Sequence, residues 1–163
     1  MNNPYKVIFV CEWNTCRSAM AKYIFKDLVK KSELADKIFI DSAGCVTRIK
    51  EPIGKRTRQT LLKQNIPLDD EHVSKPFTVE EYNAFDCIIA LDNYTLNITK
   101  KISYGDPDNK IRLFKDIDGE NISVKDPGFS GEHLNAFKKI YAGCQNLLEE
   151  LMLIILTLNK SFF

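Results

Sequence analysis

The chain is predicted to be an α/β protein, a three-layer sandwich with helices on both faces of a four-stranded parallel sheet. Two observations carry this. Short apolar runs at Val7–Val10, Ile38–Ile40, Cys87–Leu91 and Ile111–Phe114 alternate with longer stretches of helical periodicity. The first run, VIFV, is continuous rather than alternating, which is the pattern of a strand covered on both faces of a parallel sheet.

The elements follow in order. After Val7–Val10 comes a loop holding Cys11 and Arg17, and then Ala21, Ile24, Phe25 and Leu28 at helical spacing, with Lys22, Lys26, Asp27 and Lys30 assigned to the solvent side. The second strand, Ile38–Ile40, runs into Asp41-Ser42-Ala43-Gly44, and a loop with Pro52 and Gly54 leads to a helix over about 55–64. The stretch 65–77, with Pro67, Pro76 and the acidic cluster Asp69–Glu71, reads as surface loop. Thr78-Val79-Glu80-Glu81 is a helix start, with Thr78 capping and Glu81 at the third helical position. The third strand is Cys87–Leu91, followed by a helix over about 94–102, the fourth strand Ile111–Phe114, and a long helix over about 132–156. Ligands in such folds sit beyond the carboxyl ends of the strands, where Cys11, Ser42, Asp92 and the loop carrying Asp126 converge.

Composition bounds the function classes. With 163 residues the chain has the length of one domain, and 44% hydrophobic and 28% charged residues with a net charge of +1 suit a soluble protein. Neither a nucleic-acid nor a membrane partner follows from that charge balance. Five cysteines, at positions 11, 16, 45, 87 and 144, lack a framework spacing and suit free thiols in a reducing compartment. The first residues carry no basic segment and too short an apolar run for a signal peptide, so a cytoplasmic location is expected. His and Cys residues do not cluster at metal-ligand spacing, and neither a metal nor a cofactor is expected. The apolar segment Leu151–Leu158, followed by Phe162 and Phe163, is too short for a bilayer, which needs about 20 residues. It reads as a helix end buried on the domain, with self-association through this segment as the alternative.

Chemistry concentrates in CEWNTCRS, residues 11–18. A thiol leaving a strand end, an arginine six positions later and a helix N-terminus can surround an anion that a nucleophile attacks. Such a field favours the thiolate of Cys11. Alone, the spacing also fits a cysteine buried as a small hydrophobe.

The string resembles the C-x-G-N-x-C-R-S signature of low-molecular-weight protein tyrosine phosphatases. Further similarities keep the family's order: Asp41-Ser42-Ala43-Gly44, His72 in a loop, Phe85–Asp92 as a third strand, and Val124-Lys125-Asp126-Pro127. The resemblance covers essentially the whole chain. It implies a flavodoxin-like strand order 2-1-3-4 and hydrolysis of phosphotyrosine in proteins, with inorganic phosphate as product. It further implies Cys11 as nucleophile, Arg17 as phosphate clamp, Ser18 as donor to the Cys11 sulfur and Asp126 as general acid and base. Asn14, Ser42 and His72 correspond to a support network beneath the loop, with Asn14 left-handed. Asp106-Pro107 is a second Asp-Pro pair, but only Asp126 lies in the DPGFSG string that resembles the acid loop. His133 matches nothing in the pattern and is expected as a solvated helix residue.

Departures from the pattern bear on substrate and strength. Trp13 stands where the family usually has glycine; at positive φ it would strain the loop by about 1–3 kcal/mol, and otherwise it lies at the cleft rim facing substrate. Glu12, Thr15, Arg48, Ile49 and Phe129 are the expected substrate-pocket residues, and of the family's pocket aromatics only Phe129 is in place. Thr15 is also found in the related protein-arginine phosphatases, which makes phosphoarginine the alternative substrate. Arg48, Lys50, Lys55, Arg56 and Arg58 border the cleft or form a solvated basic face. Cys16 is a candidate redox partner of Cys11, or else a packing residue. Arsenate reduction on the same fold would need two further cysteines on a mobile segment, which Cys87 within a strand does not supply. A phosphate-binding pseudo-enzyme weakened by Trp13 is the remaining reading.

Overall fold

A computed structural model describes residues 3–47, 50–115, 118–128 and 130–160. Four strands, β1 (Tyr5–Cys11), β2 (Ile38–Gly44), β3 (Cys87–Ala90) and β4 (Ile111–Leu113), pair in parallel in the order β2-β1-β3-β4. Five helices accompany them among the described residues: α1 (Arg17–Lys30), α2 (Lys55–Lys63), α3 (Val79–Ala84), α4 (Asn93–Ile102) and α5 (His133–Lys160).

The continuous apolar run of β1 is explained by two cores. Val7 and Phe9 pack with residues of α1, α2 and α5, whereas Ile8 and Val10 point through the sheet to residues of α3 and α4. Because successive side chains of a strand alternate between faces, a strand buried on both sides has no polar position. Thr78 caps α3 by accepting the Glu81 N–H at 3.3 Å, as the capping string predicts.

The structure departs from the sequence expectation on α1. Lys22 and Asp27, assigned to solvent, are buried at 5% and 7% exposure. The helix lies under the sheet, against α5 and against the 65–77 segment, so only a narrow stripe of it meets water. That segment is itself no plain surface loop, because His72, Ser74 and Phe77 are buried. The last helix starts at His133 and runs beyond the predicted end to Lys160. Leu151 belongs to the core, and Met152 and Ile155 pack against it, while Leu153 and Ile154 are exposed. The side chains of Leu156 and Leu158, and Phe162 and Phe163, lie outside the described residues.

Candidate active site

The register of the sheet ends β1 at Cys11 opposite Gly44 of β2, so the thiol and the Asp41–Gly44 string emerge side by side at the carboxyl edge. Gly44 is required there: a Cβ would lie 2.0 Å from Thr47 Oγ1 and 2.9 Å from the Glu12 carbonyl. From Cys11 the chain turns through residues 12–16, with Cys16 at the N-cap of α1, so the loop sits at the positive end of that helix.

Asn14 organises the loop. It is fully buried with φ 59°, the left-handed region that asparagine tolerates. Its N–H points at Cys11 Sγ at 3.3 Å, and its Nδ2 donates to Ser18 Oγ and Ser42 Oγ, each at 2.9 Å. Its Oδ1 accepts the Lys75 N–H at 3.0 Å. Ser18 Oγ in turn stands 2.9 Å from Cys11 Sγ.

His72 supports the same residue from below. Its Nε2 is 2.7 Å from the Asn14 carbonyl and its Nδ1 is 3.2 Å from Lys22 Nζ. A carbonyl only accepts and an ammonium only donates, which assigns the proton to Nε2 and leaves His72 neutral. Burial, reinforced by the Lys22 charge, holds its pKa below the usual histidine value, in line with that tautomer. Burial also lowers Lys22, opposed by Asp70 at 3.5 Å.

Arg17, 2% exposed, is held from three directions. It donates to Asp92, to the Val124 carbonyl at 3.0 Å and to Asp126 Oδ2 at 3.4 Å. Burial would raise the Asp92 carboxyl, but hydrogen bonds from Thr95 and from Arg17 outweigh it and hold the pKa below the usual range. Asp92 also caps α4, accepting the Thr95 N–H at 2.6 Å. One carboxylate thus ties the guanidinium to the start of a helix across the sheet.

These groups meet in a cleft of about 600 Å³ whose lining includes Cys11, Arg17 and Asp126. Asp126 is held by the Gly128 N–H, which donates to its Oδ1 at 2.9 Å. Trp13, Thr15 and Cys16 also line the cleft, as do Lys55, Arg56 and Thr57 at the start of α2. The turn into α2 is fixed by the Gly54 N–H donating to the Thr15 carbonyl at 2.9 Å. Burial pushes the Cys16 thiol up to about 12.

Asp106, the other Asp-Pro aspartate, lies away from the cleft. Its carboxylate accepts from the Tyr82 hydroxyl at 2.9 Å and from the Lys110 and Ile111 N–H groups at 2.8 and 3.0 Å, which ties α3 to β4.

Two further expectations change here. Trp13, 54% exposed at the rim, does not have a positive φ, so the loop stores no strain at the position where the family usually has glycine. His133 is not solvated: it is 8% exposed and lines the cleft with Asp126. Burial and the nearby Arg56 charge lower its pKa. Nothing in a lone histidine outside a recognised motif marks such a residue. Among the described residues that line the cleft Glu12 is absent, its carbonyl instead accepting the Val46 N–H at 3.1 Å. Arg48, Ile49 and Phe129, expected in the pocket, lie outside the described residues. Of the basic residues proposed to border the cleft, Lys55 and Arg56 do; Lys50 and Arg58 do not line it.

Residues 6–161 match the profile of a family described as low molecular weight phosphotyrosine protein phosphatase. The chain belongs to this family. Among curated relatives, low molecular weight protein-tyrosine-phosphatase YfkJ of Bacillus subtilis is 32% identical over 145 residues, covering 87% of this chain and 92% of that protein. The crystal structure of YfkJ superposes with a TM-score of 0.85 at 29% identity, over 93% of this chain and 96% of that one. A YwlE arginine phosphatase mutant with a phosphorylated active site serine superposes with a TM-score of 0.79 at 26% identity, over 90% of this chain and 95% of that one. The proteins this chain resembles thus include one named a protein-tyrosine-phosphatase and one named an arginine phosphatase.

Proposed function

We propose that this phosphatase hydrolyses phosphotyrosine in proteins through a phosphocysteine intermediate formed on Cys11. The observation that carries the reading is the joint lining of one cleft by Cys11, Arg17 and Asp126, with Ser18 Oγ 2.9 Å from the Cys11 sulfur. In the first step Cys11 Sγ bonds to phosphorus as the phosphorus–phenol oxygen bond breaks. The Asp126 carboxyl gives its proton to the departing oxygen. Arg17, the loop N–H groups and the α1 N-terminus hold the charge on the remaining oxygens. In the second step Asp126 takes a proton from water, whose oxygen bonds to phosphorus as the S–P bond breaks, releasing inorganic phosphate. Ser18 donates to the departing sulfur. Asn14, Ser42 and His72 keep the loop in the conformation these contacts need. No cofactor enters this scheme. All five thiols are free, which supports a cytoplasmic location.

Phosphoarginine is the second reading. It is favoured by Thr15 in the cleft lining, where a hydroxyl can accept from a guanidinium. Trp13 on the same rim favours an aromatic ring instead. Matched peptides differing only in phosphotyrosine or phosphoarginine are expected to show kcat/KM at least about tenfold higher for phosphotyrosine, a preference of roughly 1.4 kcal/mol in transition-state binding. A preference in the other direction exchanges the two readings.

We also propose Cys16 as the redox partner of Cys11. Peroxide converts the Cys11 thiol to a sulfenic acid, and the Cys16 sulfur then displaces water from it to form a disulfide. A Cys16 thiol pushed up to about 12 makes that closure slow at neutral pH. Under excess peroxide, which carries a sulfenic acid not captured as a disulfide on to the irreversible sulfinic acid, dithiothreitol is expected to restore activity in the wild type and not in Cys16→Ser. Equal recovery in both would assign Cys16 to packing.

A further inference from the structure

A second groove, about 480 Å³, runs between α2 and the start of α5. It adjoins the catalytic cleft, since Arg56 and His133 line both. Its walls carry Gln59 and Lys63 from α2, Gln64 just after it, and Ser130 and Leu134 opposite, with no carboxylate among the described lining residues.

Charge is segregated here. The whole chain is nearly balanced at +1, yet α2, KRTRQTLLK, holds four cations and no acid. The junction of the two grooves has a second feature. His133 is more than nine-tenths buried, and its Nδ1 has no hydrogen-bond partner among the described residues. A buried polar atom left unpaired is costly in a folded chain, and His133 stands where the two grooves meet.

Lys63 follows Arg56 by seven positions, about 10 Å along the helix at 1.5 Å per residue. That is the reach of about three extended residues. We propose that the groove is a substrate subsite that takes an Asp or Glu side chain lying within about three residues of the phosphorylated one, drawn in by Lys63 and Arg56. The proposal rests on the phosphatase reading of the Cys11 cleft. Binding energy gained at this distance from the reacting phosphorus sets which phosphoproteins are turned over rather than the chemistry itself.

The test uses phosphopeptides carrying the phosphorylated residue that the enzyme turns over, identical except for Glu or Lys at each of the three positions on either side. Wild type is expected to favour Glu over Lys at one or more of these positions by roughly fivefold in kcat/KM at low salt, the size of one or two solvent-exposed ion pairs. Raising salt shrinks the ratio. Lys63→Glu brings it to one or below, and Lys63→Arg keeps it; the site is exposed, and a thermal melt checks that each variant is folded. A wild-type ratio of one at every position, or a ratio unchanged in Lys63→Glu, overturns the subsite and leaves a solvated basic face. A plain aryl phosphate, with no flanking residues, separates the two claims. Turnover of it together with a flat peptide ratio rejects the subsite alone, whereas no turnover by wild type rejects the phosphatase reading and the subsite with it.

Discussion

Cys11→Ser is expected to abolish steady-state hydrolysis of an aryl phosphate, by about four orders of magnitude or more. The hydroxyl that replaces the thiol is far harder to ionise and is a poorer nucleophile, while the cradle around it is retained. Cys11 is 2% exposed, and Ser18 Oγ and the Asn14 N–H both address the atom at this position. A serine oxygen can take up both contacts, so the melting temperature is expected to shift by no more than about 5 °C. Loss of activity with an intact melt assigns the sulfur to the chemistry. Equal turnover by wild type and variant would remove Cys11 from the mechanism and leave an anion-binding loop.

The second large effect belongs to Asp126, and it depends on the leaving group. Asp126→Asn is expected to lower kcat for a phosphotyrosine peptide by about 10²–10³-fold, because the departing phenolate must then leave without a proton. With a dinitrophenyl phosphate, whose leaving oxygen needs no proton, the first step is expected to lose less than about tenfold. Burst kinetics separate that step from hydrolysis of the intermediate. The contrast matters because Asp126 also accepts from Arg17 at 3.4 Å. If the variant merely released Arg17, both leaving groups would suffer alike. Such an outcome would make Asp126 a positioning residue. Its side chain is 43% exposed, so the isosteric change should leave the fold intact.

Trp13 shows how a local rule depends on tertiary geometry. Glycine at a loop position suggests a need for positive φ, and tryptophan there suggests a weakened enzyme. In the folded loop the left-handed residue is Asn14, one position later, and asparagine is suited to it. The tryptophan ring is free to lie at the rim of the cleft.

Much of the fold was legible because its signals are local. A strand buried on both faces has to be apolar at every position, so Val7–Val10 announces a central parallel strand without knowledge of its neighbours. Thr78 and Glu81 mark a helix start through contacts three residues apart. Residues 11–18 likewise form one contiguous loop, and their own spacing brings a thiol, an arginine and a helix N-terminus together.

What the chain could not announce locally is set by contacts between distant segments. Two Asp-Pro strings are available, and only packing of the 124–128 segment against Arg17 brings Asp126 to the cleft, while Asp106 ties Tyr82 to the start of β4. Lys22 falls on the polar side of a helical wheel, yet the fold buries it, because His72, 50 positions away, offers its Nδ1 to the ammonium. His133 lies in no motif and becomes part of the cleft only when α5 is laid beside α2. The sequence by itself determined the sheet, the Cys11–Ser18 loop and the chemical types at the site. The tertiary structure alone decided which acid reaches the cleft, which cations are buried and where a second groove opens, since burial and charge pairing arise from the approach of segments far apart in the chain.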